Sequence, residues 1–507
     1  MLRTGHLDTD RYLGGPLDFL SQAPGLLAAY ANRAVVTATR PPALAAISLL
    51  SILLLSVTAL DPKTSAPQPR TINVTLMGTS TTPTVLNVDA DTLFHTVASD
   101  FFLQDDGSMY VQTGDIPAMW LRDSSAQTYP YVRFANEIPA FRPTIRAVIE
   151  RNARNVLTDP HANAFTAGFK VWEEKWEPDS LAYPVTLIYA YWTKTHDRAI
   201  FTPHVRWALE HTLATYECEI HHESCSDYGS RYLPNRGAGA PFTETGMIWG
   251  AFRPSDDRVK YPFNVPQNML AAVALEEIGE LAGPGFGDPH MARTAMDLSN
   301  SVRAGIERYG VIYDFNHGWM YAYEVDGLGG FELMDDANLP NLVTAPLWEY
   351  VSPFDPIYEN TRAFALSSGN PYYYSGRYAT GLGSPHTPTG WVWPLGIIGQ
   401  ALTSRNRPEV ASLIKMVEST GSSDGLIHES FDPDDPSRFT RSEFGWGNAS
   451  YAELLFRSVG GIPPQPSHLD LWPHVLPHYV PPVVVDSFTN QLEVQGTLID
   501  ALRQSVL

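Results

Sequence analysis

The sequence predicts an all-α fold, a double-walled toroid in which helix pairs ring a common axis and the loops at one end build a pocket. Three observations predict it. Helical periodicity dominates the chain, long loops carrying Gly, Pro, Asp and Trp separate the helices, and no G-x-G-x-x-G follows a strand as a nucleotide-binding sheet requires.

Taken in order, residues 1–40 read as a cytosolic tail. Ala43 to Leu60 is an uncharged run rich in Leu and Ile, preceded by Arg33 and Arg40, with about the length that crosses a bilayer core. The stretch ahead of it is too long for an ordinary signal-peptide n-region, so 41–60 reads as a retained signal anchor. The upstream arginines predict a type II topology, with everything beyond about residue 61 in the lumen of the ER or Golgi. Residues 61–88, rich in Pro, Ser and Thr, read as a stem, and Asn73-Val-Thr75 is a glycosylation sequon within it. Asn448-Ala-Ser450 is a second sequon, set in a Trp-rich segment whose burial would leave it unmodified.

From 89 to 460 no linker or charge block divides the chain, which predicts one domain. Ile145, Val148, Ile149, Asn152, Ala153 and Val156 line one face of a helix, with Pro143 near its start. Further helices are readable around 185–195, 203–219, 266–282, 290–308, 394–404, 408–419 and 447–458. Beyond Gly460 the composition turns Pro- and Val-rich, and 461–507 reads as an extension that wraps the domain.

The 34 Lys and Arg face 55 Asp and Glu, and the net charge of −21 excludes a polyanion such as nucleic acid as the main partner. Acidic groups beside 12 Trp, 24 Tyr and 22 Phe suit neutral sugars, whose C–H faces stack on rings and whose hydroxyls bind carboxylates. Any single aromatic ring is still more simply explained as core. Cys218 and Cys225 admit a local disulfide, a zinc site recruiting His221 and His222, or two free thiols; without a C-x-x-C pair the disulfide is favoured.

Four loops concentrate chemistry. The first runs from Thr113 to Gln127 and carries Asp115, Trp120, Arg122 and Asp123; the second is Arg253-Pro-Ser-Asp256-Asp257, followed by Asn268. The third leads from Gly381 through His386 to Trp391 and Trp393, and the fourth carries His428, Glu429, Asp432 and Asp434, then Trp446. An isolated Asp in such a loop ordinarily caps a helix or pairs with Arg. Four such loops in one domain weigh against that ordinary explanation.

With Tyr321-Ala-Tyr-Glu324 and Met334-Asp-Asp336, these segments resemble glycoside hydrolase family 125, the exo-acting α-1,6-mannosidases, over about residues 90–458. The resemblance implies an (α/α)6 barrel and an inverting mechanism that removes non-reducing terminal mannose from oligosaccharides or glycans without a metal or other cofactor. It places the general acid at Asp256 and the general base at Glu429, with Asp115, Arg122, Asp123 and His386 holding the sugar. Trp120, Arg253, Asp257, Asn268 and His428 are the further candidate contacts in the same motifs, and Asp257 competes with Asp256 for the acid role. The expected partner is a mannose-containing oligosaccharide, bound by a monomer held at a membrane.

The chemistry itself requires such a pair. One carboxylic acid protonates the leaving oxygen, and for inversion a second carboxylate about 6.5–9.5 Å away activates water from the opposite face. Two rivals stand beside this reading. A metal-dependent glycosyltransferase would share the anchor and use Asp432-Pro-Asp434 as a D-x-D motif, and a catalytically silent glycan-binding protein would need no second carboxylate.

Overall fold

The computed structural model describes residues 71–76, 84–89, 96–97, 99–136, 141–422 and 425–459, all within one compact unit. The cytosolic tail, the apolar run 43–60 and the extension 461–507 lie outside the described residues. Among the described residues no helix is long and apolar enough to cross a membrane. Part of the expected stem is ordered into structure instead: Thr71–Leu76 and Thr84–Asp89 form an antiparallel ladder in which Asn73 pairs with Asn87.

Ten helices longer than a single turn carry the domain among the described residues. They are α1 (Leu121–Thr128), α2 (Phe141–Thr158), α3 (Pro178–Thr195), α4 (Pro203–Ile220), α5 (Val265–Phe286), α6 (Pro289–Gly305), α7 (Pro356–Ala365), α8 (Pro394–Thr403), α9 (Arg407–Thr420) and α10 (Gly445–Val459). Proline opens seven of them at the first or second position after a capping or extended residue, where its missing N–H costs nothing. Side chains of Thr202, Asn264, Asp288, Asp355 and Asn406 accept the free backbone N–H groups at five of these starts.

An inner wall closes on itself. α1 packs on α3, α3 on α5, α5 on the 3-10 turn Ala345–Trp348, that turn on α8, α8 on α10, and α10 back on α1. The outer helices lie behind: α2 packs on α1 and α3, α4 on α2 and α3, α6 on α5, and α9 on α8. Burial separates the walls as sequence chemistry demands. Every residue of α8 is buried, as is Met269–Leu275 of α5, and apart from Gln400 both segments are apolar or small. α2 buries the face made of Ile145, Val148, Ile149, Asn152, Ala153 and Val156, together with Phe141, Arg151 and Asn155. Each enclosed Leu or Ile contributes about 1.5–3 kcal/mol of transfer free energy.

The all-α expectation is corrected in one respect: seven short antiparallel sheets occur among the described residues, in the long connections. Two of them feed inner helices directly, since Met119–Trp120 runs into α1 and Phe263–Asn264 into α5. The reading also started α3 late and missed α1 and α7. Pro184 sits inside α3, where a proline normally ends a helix, and α1 has an almost wholly polar sequence that shows no apolar period.

Candidate active site

The first turns of inner helices meet at one place. Arg122, second residue of α1, is buried, and its Nη1 donates to Glu177 Oε2 at 2.6 Å, just ahead of α3. The same nitrogen lies 3.5 Å from Asp179 Oδ2, and Asp179 Oδ1 accepts from Gln267 Nε2 of α5 at 2.6 Å. The guanidinium also lies over the ring of Trp446 at the start of α10, 5.3 Å from its centroid. Nη2 donates to Asp256 Oδ1 at 3.1 Å, and Nε lies 3.4 Å from Asp123 Oδ2.

Asp256 sits in a tight loop. Its N–H donates to Arg253 O at 2.9 Å, and Arg253 N–H donates to Asp257 O at 2.7 Å. The loop forces Asp256 to a φ of +64°, a left-handed conformation that costs a non-glycine residue on the order of 1 kcal/mol or more. The strain turns its carboxylate toward Arg122 and Asn163, whose Nδ2 reaches Asp256 Oδ1 at 3.3 Å.

Four carboxyl groups thus share one guanidinium, and their proton affinities separate accordingly. Burial pushes Asp123 up to about 6, opposed by Arg122. Burial and the neighbouring charge of Asp256 drive Glu177 far above the usual carboxylate range, and burial raises Asp179 as well. Burial also acts upward on Asp256, but Arg122, a hydrogen bond from Glu177, Lys175 and His386 outweigh it and hold its carboxylate well below the usual range.

Glu429 stands across from this group, 8% exposed at the foot of the hairpin formed by Ser430–Asp432 and Asp435–Thr440. Arg441, just beyond the hairpin, places Nη1 3.5 Å from Glu429 Oε1, donates Nη2 to Thr113 O at 2.8 Å and pairs with Asp115 Oδ1 at 2.6 Å. Gly114 makes that approach possible: at a φ of +53°, a Cβ there would lie 2.9 Å from Glu443 O. His428 stacks on Phe439 with centroids 3.8 Å apart. His386 links the two halves. Its Nδ1 lies 3.6 Å from Asp257 Oδ1, and although burial opposes its charge, Asp257, Asp256 and Glu429 raise it to about 9.

Arg122, Asp123, Asp256, Asp257, His386, His428 and Glu429 therefore gather in one region. Trp120 enters it from the strand before α1, packed on Ala118 and Ala164, with its buried indole N–H unpartnered. Asp115 reaches it only through Arg441 and is itself largely exposed. One candidate is corrected. Asn268 is fully buried, with its amide committed to Ile248 N and O and to Asn264 O, so it braces backbone. Arg253 is buried and donates its Nε to Glu324 Oε1 at 2.5 Å, which anchors the Asp256 loop.

Sequence reasoning missed Asn163, Lys175, Glu177, Asp179 and Arg441. The signal for two of them was Trp176-Glu-Pro-Asp179, acidic residues flanking a helix-starting proline, a pattern that ordinary capping also explains. Cys218 and Cys225 are bonded to each other, which displaces the zinc and free-thiol readings; His222 instead bonds Glu219 at 2.7 Å and stacks on Trp249. Among the described residues no group of three or more His, Cys, Asp or Glu side chains is arranged around a metal position. Asn448 is buried, its Oδ1 accepting from Ile427 N at 2.8 Å.

Comparison with known proteins agrees with this architecture. Residues 79–456 match the family described as metal-independent alpha-mannosidase (GH125). The Meiotically up-regulated gene 157 protein of Schizosaccharomyces pombe is 35% identical over 387 residues, covering 68% of this chain and 75% of the yeast protein. A Streptococcus pneumoniae metal-independent alpha mannosidase, solved in a non-productive complex with α-1,6-mannobiose, superimposes with a TM-score of 0.70 at 36% identity, covering 73% of this chain and 92% of that one. The chain belongs to the metal-independent α-mannosidases of family GH125.

Proposed function

We propose that this mannosidase is an inverting exo-enzyme that removes non-reducing terminal α-1,6-linked mannose, with Asp256 as general acid and Glu429 as general base. The observation that supports the pair is His386: its Nδ1 lies 3.6 Å from Asp257 Oδ1, and the charges of Asp256, Asp257 and Glu429 together raise its proton affinity, which favours one shared site for the two candidates. They are held by different arginines, Arg122 for Asp256 and Arg441 for Glu429, as two groups with separate tasks require. Asp256 is preferred to Asp257 as the acid because it is the deeper of the two, 17% against 31% exposed in its side chain, and Asp257 is engaged with His386 and Ser255.

In this reading Asp256 protonates the leaving oxygen while Glu429 takes a proton from the attacking water, which enters opposite the α-linked leaving group. Arg122 fixes the acid, Arg441 the base, and His386⁺ offers a donor to sugar hydroxyls. Asp432-Pro-Asp434, the motif a glycosyltransferase would use, serves the hairpin turn: Asp432 accepts from Asp434 N and pairs with Arg438 at 2.6 Å, and Asp434 accepts from Arg377 N.

The apolar run 43–60 and the preceding Arg33 and Arg40 support the reading of a type II anchor with a luminal catalytic domain, and the Asn73 sequon is consistent with that address. Protease digestion of sealed microsomes tests the topology; cleavage of the domain without detergent rejects it. The chemistry is tested by NMR of the first-formed sugar from α-1,6-mannobiose. β-Mannose is expected, and α-mannose, or a preference for α-1,2 or α-1,3 linkages, rejects the proposal.

A further inference from the structure

Asp256 presents a difficulty for any acid catalyst. The positive groups facing it are Arg122, Lys175 and His386, and they favour its ionised form, whereas the reaction needs a proton at that position. Glu177 stands beside it. Arg122 donates Nη1 to Glu177 Oε2 at 2.6 Å and Nη2 to Asp256 Oδ1 at 3.1 Å, and Asn163 Nδ2 reaches Glu177 Oε1 at 3.5 Å and Asp256 Oδ1 at 3.3 Å. One guanidinium therefore clamps both carboxyl groups side by side, and the Asn163 amide, whose shortest contact is Glu173 Oε2 at 3.0 Å, touches both. Glu177 is fully buried, and its remaining contact is Ser180 Oγ, which donates to Oε2 at 3.0 Å.

Two carboxylates held together with little water do not both stay ionised at rest, so the resting pair retains one proton. The charged groups facing Glu177 are Arg122 on α1, Asp179 on α3, Lys175, and Asp256. Asp179 is a further carboxyl beyond Asp256, and with complete burial it places the resting proton on Glu177 while Asp256 keeps the charge.

We propose that Glu177 is a positioning residue that stores the proton for the acid step and passes it to Asp256 during bond cleavage. This rests on Asp256 being the general acid. In the step, the Glu177 O–H bond breaks as an O–H bond forms on Asp256. Asp256 then delivers that proton to the glycosidic oxygen, which keeps the electron pair of the breaking C–O bond. Water adds to the sugar carbon and loses its proton to Glu429, and one proton returns through solvent from Glu429 to the pair, so nothing is consumed besides water. Arg122 and Ser180 hold the transient Glu177 carboxylate.

The test compares Glu177→Gln in the full chain on two substrates. Glutamine keeps a hydrogen bond to Asp256 and has no proton to give. On α-1,6-mannobiose kcat/KM is expected to fall about 10²–10³-fold, chiefly in kcat. On 2,4-dinitrophenyl α-mannoside, whose leaving group needs no protonation, the fall should be less than about tenfold. The basic limb of the mannobiose pH profile should move about one unit or more toward acid, because Asp256 without a neighbouring carboxyl loses its proton earlier. Glu177→Asp should recover part of the mannobiose rate. Because both substrates are assayed on one preparation, a smaller folded fraction cancels from their ratio. Equal losses on both substrates, or an unmoved basic limb, overturn the proposal. Asp256→Asn is assayed alongside: normal mannobiose hydrolysis by Asp256→Asn refutes the acid assignment, whereas a silent Asp256→Asn beside a fully active Glu177→Gln refutes only the role of Glu177.

Discussion

Arg122 Nη2 donates to Asp256 Oδ1 at 3.1 Å across a sequence separation of 134 residues, while the backbone at Asp256 takes a left-handed conformation. The strained loop and the buried guanidinium determine each other's geometry. The acid candidate is thereby aimed before any sugar arrives, which is the pre-organisation that a proton-transfer site needs.

Asp256→Asn and Glu429→Gln should each keep the fold and mannose binding and lose at least about 10³-fold in kcat on α-1,6-mannobiose. An activated aryl mannoside should restore part of the Asp256→Asn rate and none of the Glu429→Gln rate, since only the first variant lacks leaving-group protonation. Steady-state kinetics on both substrates decide the matter. Near-normal turnover in both variants would remove the pair from the mechanism.

Arg122→Met should destabilise the domain by about 3–5 kcal/mol, because it strands the buried charge of Asp256 and leaves the Asp179 and Asp123 carboxyls without the guanidinium they share. Urea unfolding measures the loss. A change below about 1 kcal/mol would mean the cluster is protonated and self-sufficient.

His386 is raised to about 9 from an ordinary value of 6.5, so its charge favours the folded state. The sign follows: that stability is fully present below about pH 6.5 and is lost as pH rises toward 9. The difference in unfolding free energy between the wild type and His386→Gln should therefore shrink across that window. NMR titration of the imidazole protons reads the midpoint directly, and a midpoint below 7 contradicts the assignment.

Cys218→Ser with Cys225→Ser opens a loop of seven residues' separation at the end of α4, on the order of 2 kcal/mol of stability in the chain-entropy account. Activity per folded molecule should stay unchanged, since the bridge touches none of the carboxyl groups above. Chemical denaturation paired with active-site titration checks both halves, and an activity loss exceeding the stability loss would tie this loop to the site.

The sequence by itself determined the helical class, the positions of most outer and inner helices, and the loops that carry Asp256, His386 and Glu429. Those signals are local: apolar periodicity in α2, proline and cap residues at helix starts, and short polar motifs that resemble a known family. Tertiary structure alone decided which polar residues do chemistry and which brace backbone. Asn268 sits in the same kind of motif as Asp256, yet its amide is committed to the backbone of Ile248 and Asn264. α1 was invisible for a related reason, because Arg122, Asp123, Ser124 and Gln127 are buried by partners on other helices and show no apolar face of their own. Asp115 and Arg441 are joined across 326 residues, and Arg122 with Glu177 across 55. Partner choice in a dry, charged site depends on which groups the closed inner wall brings within hydrogen-bond distance, and no spacing along the chain encodes that distance.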